Sequence, residues 1–204
     1  MIQIVDYKAG NITSVQRALR SLGVESALTP DPEAVRRAAR VIFPGVGNAA
    51  AAMEVLRARG LDQALREAFT RGTPILGICL GAQVALSRSE EGGTACLDLI
   101  PGVTRRFAPG DRALKIPHMG WDSIRLVRPH PVLRGIRAED EFYFVHSYYP
   151  LPAERIDVIA DCEYGDLFPA VIGRGNLVAM QFHPEKSGPA GLKIIGNFVE
   201  WNGS

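Results

Sequence analysis

"TPILGICLGAQVAL", residues 73–86, passes from an almost wholly apolar run through Gly-x-Cys-x-Gly into a helical pattern. A short apolar run closed by a turn signal reads as a strand covered on both faces, as in the middle of a parallel sheet. Gly77 and Gly81 bracket Cys79. A cysteine that only filled space would need neither glycine. A residue on a tight strand-to-helix turn needs both, because neighbouring chain must pass closely while its own side chain projects above the sheet edge; the Gly-x-Ser-x-Gly elbow of hydrolases uses the same device. At the start of the following helix, unpaired N–H groups favour a thiolate over a thiol. Cys79 is the candidate nucleophile.

Upstream, the same alternation repeats. "IQIVDY", "VESALTP" and "VIFPGVG" read as strands. "NITSVQRALRSLG" carries apolar residues at Ile12, Val15, Ala18, Leu19 and Leu22, which is helical spacing, with Gly23 as the stop. "DPEAVRRAAR" is a short helix with Asp31 at its cap and Pro32 in its first turn, and two further helices span about 49–58 and 61–70. After about residue 95 the chain breaks into short strand-like pieces, from "LIPGVTRRF" to "LVAMQFHPE", before a closing helix in "SGPAGLKIIGNFVEW". The expected fold is α/β, with three layers: a mostly parallel central sheet flanked by helices, and an additional antiparallel strand-rich portion returning to that sheet. Residues 1–204 read as a single domain.

Composition narrows the function. Apolar residues make up 47% of the 204, enough for an ordered core. With 23 basic and 22 acidic residues the net charge is +1, so neither nucleic acid nor an anionic membrane is expected as main partner. No window reaches the ~18 consecutive apolar residues of a membrane span. "MIQIVDYKAG" reads as a first strand rather than a secretory leader, and a cytoplasmic location is expected. Cys79, Cys96 and Cys162 lack CxxC spacing, so no disulfide framework, zinc site or other metal is expected.

A cysteine nucleophile needs a base. Of four histidines, His130 lies between prolines in a polar turn and reads as solvated surface, while His118 and His146 border strands and are core or binding residues. His183 ends an apolar strand in "VAMQFHPEKSG". Along extended chain, residues i and i+2 point the same way, so Glu185 can accept the His183 N–H and fix its tautomer. Pro184 keeps His183 extended. Cys96 and Cys162 have no comparable setting and read as structural. A place for negative charge is offered by "FPGVGNAA", where the backbone from Pro44 to Gly47 ends a strand and can aim N–H groups at an oxyanion, with the Leu80 N–H as second donor. An ordinary strand-to-helix turn accounts for the glycines equally well. Neither GxGxxG nor GxxxxGK is present, which disfavours a phosphate loop.

Together "GICLGAQ", "PGVG" and "QFHPEKSG" resemble the class I, or triad-type, glutamine amidotransferases. "IVDYKAGNITSV", "PHMGWD" and "YFVHSYY" extend the likeness over essentially the whole chain, most closely to the glutaminase subunits of imidazole glycerol phosphate synthases. The resemblance implies a glutaminase without cofactor: Cys79 attacks the glutamine carboxamide, and Val46, Gly47 and Leu80 hold the oxyanion. His183 protonates the departing ammonia, and water cleaves the γ-glutamyl thioester. Gly47, Gln83, His146, Ser147 and Tyr148 match glutamine-binding positions. The implied partner is a (β/α)8-barrel cyclase, in a heterodimer, which uses ammonia to form imidazole glycerol phosphate and AICAR in histidine biosynthesis. Asn11, His118, Met119, Trp121, Tyr143 and Lys186 match positions presented toward it. The sequence departs from the family pattern at Lys8, usually Gly, at Ala82, usually Met, and at Asp122, usually Asn. Two other readings are a triad amidotransferase serving a different synthase and a silent binding subunit of the same fold. The text after the third strand and around residue 117 disfavours the first, and the presence of all three triad residues disfavours the second.

Overall fold

The computed structural model describes residues 1–7, 12–108 and 114–204. Lys8 and Asn11 lie outside the described residues. The first part of the chain runs β1 (Ile2–Val5), α1 (Ile12–Ser21), β2 (Ser26–Thr29), α2 (Pro32–Arg36), β3 (Arg40–Gly45), α3 (Ala49–Ala58), α4 (Leu61–Thr70), β4 (Ile75–Cys79) and α5 (Leu80–Val84). Local chemistry sets several of these limits. Asp31 caps α2 by accepting from the Glu33 N–H, with Pro32 in the first turn, and Asn48 caps α3 by accepting from the N–H groups of Ala50 and Ala51.

The second part comprises β5 (Leu86–Ser89), β6 (Thr94–Ala95), β7 (Ile100–Arg106), β8 (His118–Ser123), β9 (Arg125–Leu126), β10 (Glu141–His146), β11 (Tyr148–Pro152), β12 (Val158–Tyr164), β13 (Asp166–Arg174), β14 (Leu177–Met180) and α6 (Gly188–Glu200). An eight-stranded sheet has the order β2-β1-β3-β4-β14-β13-β12-β9. Its pairs from β2 to β14 are parallel and the remainder antiparallel.

Alternation along the strands divides the core between the two faces. Ile2, Ile4, Ile42, Leu76 and Ile78 pack with α1 and α6, through Val15, Leu19, Ile194 and Phe198. Val5, Val41, Phe43 and Ile75 pack with α2, α3 and α4, through Val35, Met53, Leu56 and Leu65. β4 and β14 are buried at every residue, as strands between two helical layers must be.

One expectation needs correction. The strand-rich half does not all return to the central sheet: β9, β12, β13 and β14 do, whereas β11-β7-β5-β6 form a second sheet and β8 and β10 a separate ribbon. The helix after Cys79 has only five residues, because Leu86 already pairs into the second sheet opposite Ile100. A single turn does not supply the summed dipole of a long helix at the sulfur.

Candidate active site

The site lies at the carboxyl ends of β3, β4 and β14. Cys79 ends β4 with φ 54° and ψ −106°, and Asp98 is the other non-glycine residue at positive φ among those described. Such geometry persists only where the surroundings enforce it, at a cost of about 1–3 kcal/mol. Here they do. A Cβ at Gly77 would lie 2.7 Å from that of Ala179, and one at Gly81 would lie 2.0 Å from the Phe43 carbonyl oxygen. The glycines therefore let β4 and α5 approach β14 and β3, and the cysteine between them takes the bend.

His183 is brought up by β14 and held there. Its Nδ1 is 2.7 Å from Glu185 Oε1, with the two side chains 1% and 0% exposed. Cys79 stands close enough to the same ring to act on its charge. Burial opposes the imidazolium, but the hydrogen bonds and charges of Cys79 and Glu185 outweigh it and raise the His183 pKa to about 9. The chain does not stay extended as far as Glu185: His183 is extended, and Pro184–Lys186 then form a 3-10 turn. Pro184 starts the turn with its fixed φ, and Lys186 N–H and Ser187 Oγ–H both donate to the His183 carbonyl.

Cys79 opens onto a cavity of about 400 Å³. Val46, Gly47, Leu80, Gln83, His146, Ser147 and Tyr148 all line it. Gly47 has φ 104°, a left-handed backbone that glycine accepts readily. The other two cysteines are elsewhere, and burial pushes their thiols up, Cys96 to about 11 and Cys162 to about 12. His130 is a half-buried structural residue, not a solvated one: it accepts from the Val132 N–H and packs edge-on against Trp201.

Four residues in or beside the site escape the sequence reading. Gln181 Nε2 donates to Cys79 Sγ at 3.6 Å, and its Oε1 accepts from Gln83 Nε2 at 3.1 Å. A signal for it exists, since it precedes His183 by two residues at the end of an apolar strand. Glu91 and Pro117 also line the cavity, and Glu91 accepts from the Ala49 N–H. Tyr7 lies against Gly45, the cross-strand neighbour of Cys79. Its hydroxyl is buried without a hydrogen-bond partner among the described residues, and burial, then Cys79, raise its pKa.

The β8–β10 ribbon carries the expected partner-facing residues, on two faces. Met119 (61% exposed), Trp121 (51% exposed), Tyr143 and Val145 share the outer face in register, with Lys186 Nζ 5.5 Å from the Tyr143 ring centre. His118 does not belong with them: it is 0% exposed and points inward beside His146, so it cannot itself touch a partner.

Among the described residues, no cluster of three His, Cys, Asp or Glu could hold a metal, and no helix is long and apolar enough to cross a membrane. The family model described as "Glutamine amidotransferase class-I" matches residues 3–201. The imidazole glycerol phosphate synthase subunit HisH of Nitratidesulfovibrio vulgaris strain DP4 is 52% identical over 203 residues, spanning 97% of this chain and 95% of its own. That of Moorella thermoacetica is 50% identical over 200 residues, spanning 98% and 94%. A crystal structure described as a glutamine amidotransferase superposes with a TM-score of 0.74 over 100% of both chains at 20% identity. A glutamine amidotransferase from Thermotoga maritima gives 0.67 at 15% identity, over 98% of this chain and 82% of its own. The last two share the fold, and the first two about half of the residues over nearly the whole chain: the chain belongs to the class I glutamine amidotransferases, in their HisH branch.

Proposed function

We propose that this chain is a single-domain glutaminase that hydrolyses L-glutamine through Cys79, His183 and Glu185 and delivers ammonia to a cyclase in histidine biosynthesis. The observation that carries this reading is the strained turn holding Cys79 against an imidazole that Glu185 orients.

The thiolate of Cys79 attacks the carboxamide carbon. The oxygen takes the negative charge and is held by N–H groups around Val46–Gly47 and at Leu80, donors that are each worth roughly 10²–10³ in rate. The C–N bond breaks as the His183 imidazolium gives its proton to the nitrogen, releasing ammonia and leaving a γ-glutamyl thioester. Now neutral, His183 takes a proton from water, and the hydroxide displaces the sulfur to give glutamate. Gln83, His146, Ser147 and Tyr148 hold the substrate's amino-acid end. No step calls for a cofactor.

Ammonia released to water is protonated and loses its nucleophilicity, so direct transfer is needed. The exposed Met119 and Trp121, with the half-buried Tyr143 and with Lys186 beside them, support docking of a (β/α)8-barrel cyclase in a heterodimer, in the cytoplasm. Measured glutamate release should be negligible for this chain alone and rise markedly with cyclase and its nucleotide ligand. Equal release in both cases would remove the dependence on the partner.

A pH dependence follows from His183. Its raised pKa means the proton is held below about pH 9 and lost above it. The stability it contributes is therefore complete below the ordinary histidine value, near 6.5, and disappears as pH rises through about 9. The same loss removes the acid that protonates the leaving nitrogen. The kcat/KM profile for glutamine, recorded with cyclase present, should fall on an alkaline limb near pH 9. Glu185→Gln should move that limb to lower pH, and an unmoved limb would exclude Glu185 from orienting the ring.

A further inference from the structure

A second line of buried polar groups, outside the triad, ends at the same cavity. Asp122 Oδ2 lies 2.6 Å from His118 Nε2, His118 Nδ1 lies 3.1 Å from His146 Nε2, and His146 Nδ1 lies 2.8 Å from the Tyr148 carbonyl oxygen. That carbonyl also accepts from Gln83 Nε2 at 2.9 Å, and Gln83 leads through Gln181 to the Cys79 sulfur. His118 and His146 are cross-strand partners on the inner face of the ribbon whose outer face carries Met119 and Trp121.

The line can be counted in protons. Three hydrogen bonds need three protons. A carboxylate at one end and a carbonyl at the other only accept, and two neutral imidazoles bring two. All three bonds can exist together only if Asp122 and His118 share one additional proton. An Asn at this position would supply the third proton from its own amide, with every member neutral. The carboxylate makes the line depend on charge.

We propose that Asp122 is a positioning residue that acts through His118 on the tautomer of His146, closing the bond to the Tyr148 carbonyl when the extra proton is bound and opening it when that proton leaves. On its loss the charge-assisted bond from His118 Nε2–H to Asp122 is the stronger one and is kept. His118 Nδ1 is then bare and accepts from His146 Nε2–H. His146 turns an unprotonated Nδ1 toward Tyr148, whose carbonyl retains Gln83 alone. Asp122 is partly exposed at the edge of the ribbon, so the line links that surface to the substrate-binding stretch.

Other groups facing the line are few among the described residues. Tyr164 of β12 stacks on His118 with ring centres 4.0 Å apart, Cys162 of β12 faces Asp122, and His183 acts on His146. Phe107, Phe144 and Phe168 close the remaining sides. Burial pushes His146 down to about 3, so the extra proton does not rest there. Burial also lowers His118, against the opposing pull of Asp122, which places the change on the acid side of the ordinary histidine value.

The test is the ring-nitrogen NMR spectrum of His118 and His146 between pH 5 and 8, in the full chain and in Asp122→Asn. The wild-type protein should show His146 protonated at Nδ1 at the acid end and at Nε2 at the upper end. The variant should keep Nδ1–H throughout. With cyclase present, the wild-type KM for glutamine should rise roughly two- to tenfold across that step, as expected for one neutral hydrogen bond, with kcat little changed and the variant flat. One His146 tautomer throughout in the wild type, or the same step in the variant, would overturn the proposal. A tautomer change with no movement of KM would overturn the positioning role. The effect on KM rests on the glutaminase reading, but the tautomers do not, so a chain without turnover still decides the proton count. If the variant does not fold, the wild-type spectra decide alone.

Discussion

Replacing Cys79 by Ala should abolish glutamine use while leaving ammonium-dependent synthesis in the complex with cyclase. Members of a nucleophile–base unit act together, and losing the nucleophile typically costs about 10⁴–10⁶ in kcat. The backbone term should hardly change, since Ala at φ 54° is as strained as the cysteine it replaces. An unaltered thermal midpoint would therefore show that the loss is chemical. A glutamine-like electrophile provides the complementary readout. Peptide mass mapping should find the label on Cys79 in the wild type and nowhere in the variant. Cys96 and Cys162, whose thiols burial holds near 11 and 12, should stay unmodified. Label on either of them, or glutamine turnover by the variant, would remove Cys79 from the mechanism.

The second large effect is expected at Gly81, and it concerns stability. An added methyl there meets the Phe43 carbonyl oxygen at 2.0 Å and the Phe43 carbonyl carbon at 3.2 Å. Both atoms belong to the backbone of β3, so no rotamer change relieves the clash. Either β3 and β4 separate or the turn unwinds. Gly81→Ala should lose about 4 kcal/mol or fail to fold, at the upper end for single substitutions. Gly47→Ala is the useful contrast. Nothing lies within 4 Å of its added methyl, and only the positive φ of 104° opposes it, at about 1–3 kcal/mol. Urea midpoints of the two variants should therefore differ clearly, and Gly81→Ala at the wild-type midpoint would refute the close-packing explanation of the elbow.

Residue 122 shows what a sequence comparison sees and what it misses. The carboxylate of Asp122 can be noticed at once in the sequence as a charge. That the charge lies 2.6 Å from a buried imidazole, itself two hydrogen bonds away from a carbonyl lining the cavity at Cys79, depends on the antiparallel register of β8 and β10. The same register moves His118 from the partner-facing set to the interior, because His118 and Met119 alternate across the ribbon. Gln181 is a similar case. Its spacing from His183 is legible, but its contact with Cys79 joins residues 102 positions apart.

What the sequence determined by itself was whatever depends on near neighbours. Short apolar runs closed by turn residues placed β1 to β4, helical patterns placed α1 to α4, Asp31 and Pro32 set the start of α2, and Gly-x-Cys-x-Gly marked the bend at Cys79. These are energies of a few adjacent residues and can be read in order along the chain. Tertiary structure alone decided which strands share a sheet, how soon the helix after Cys79 stops, and which polar groups stand opposite one another in the interior. Those outcomes are set by contacts between distant segments, whose pairing is chosen by the burial of both at once.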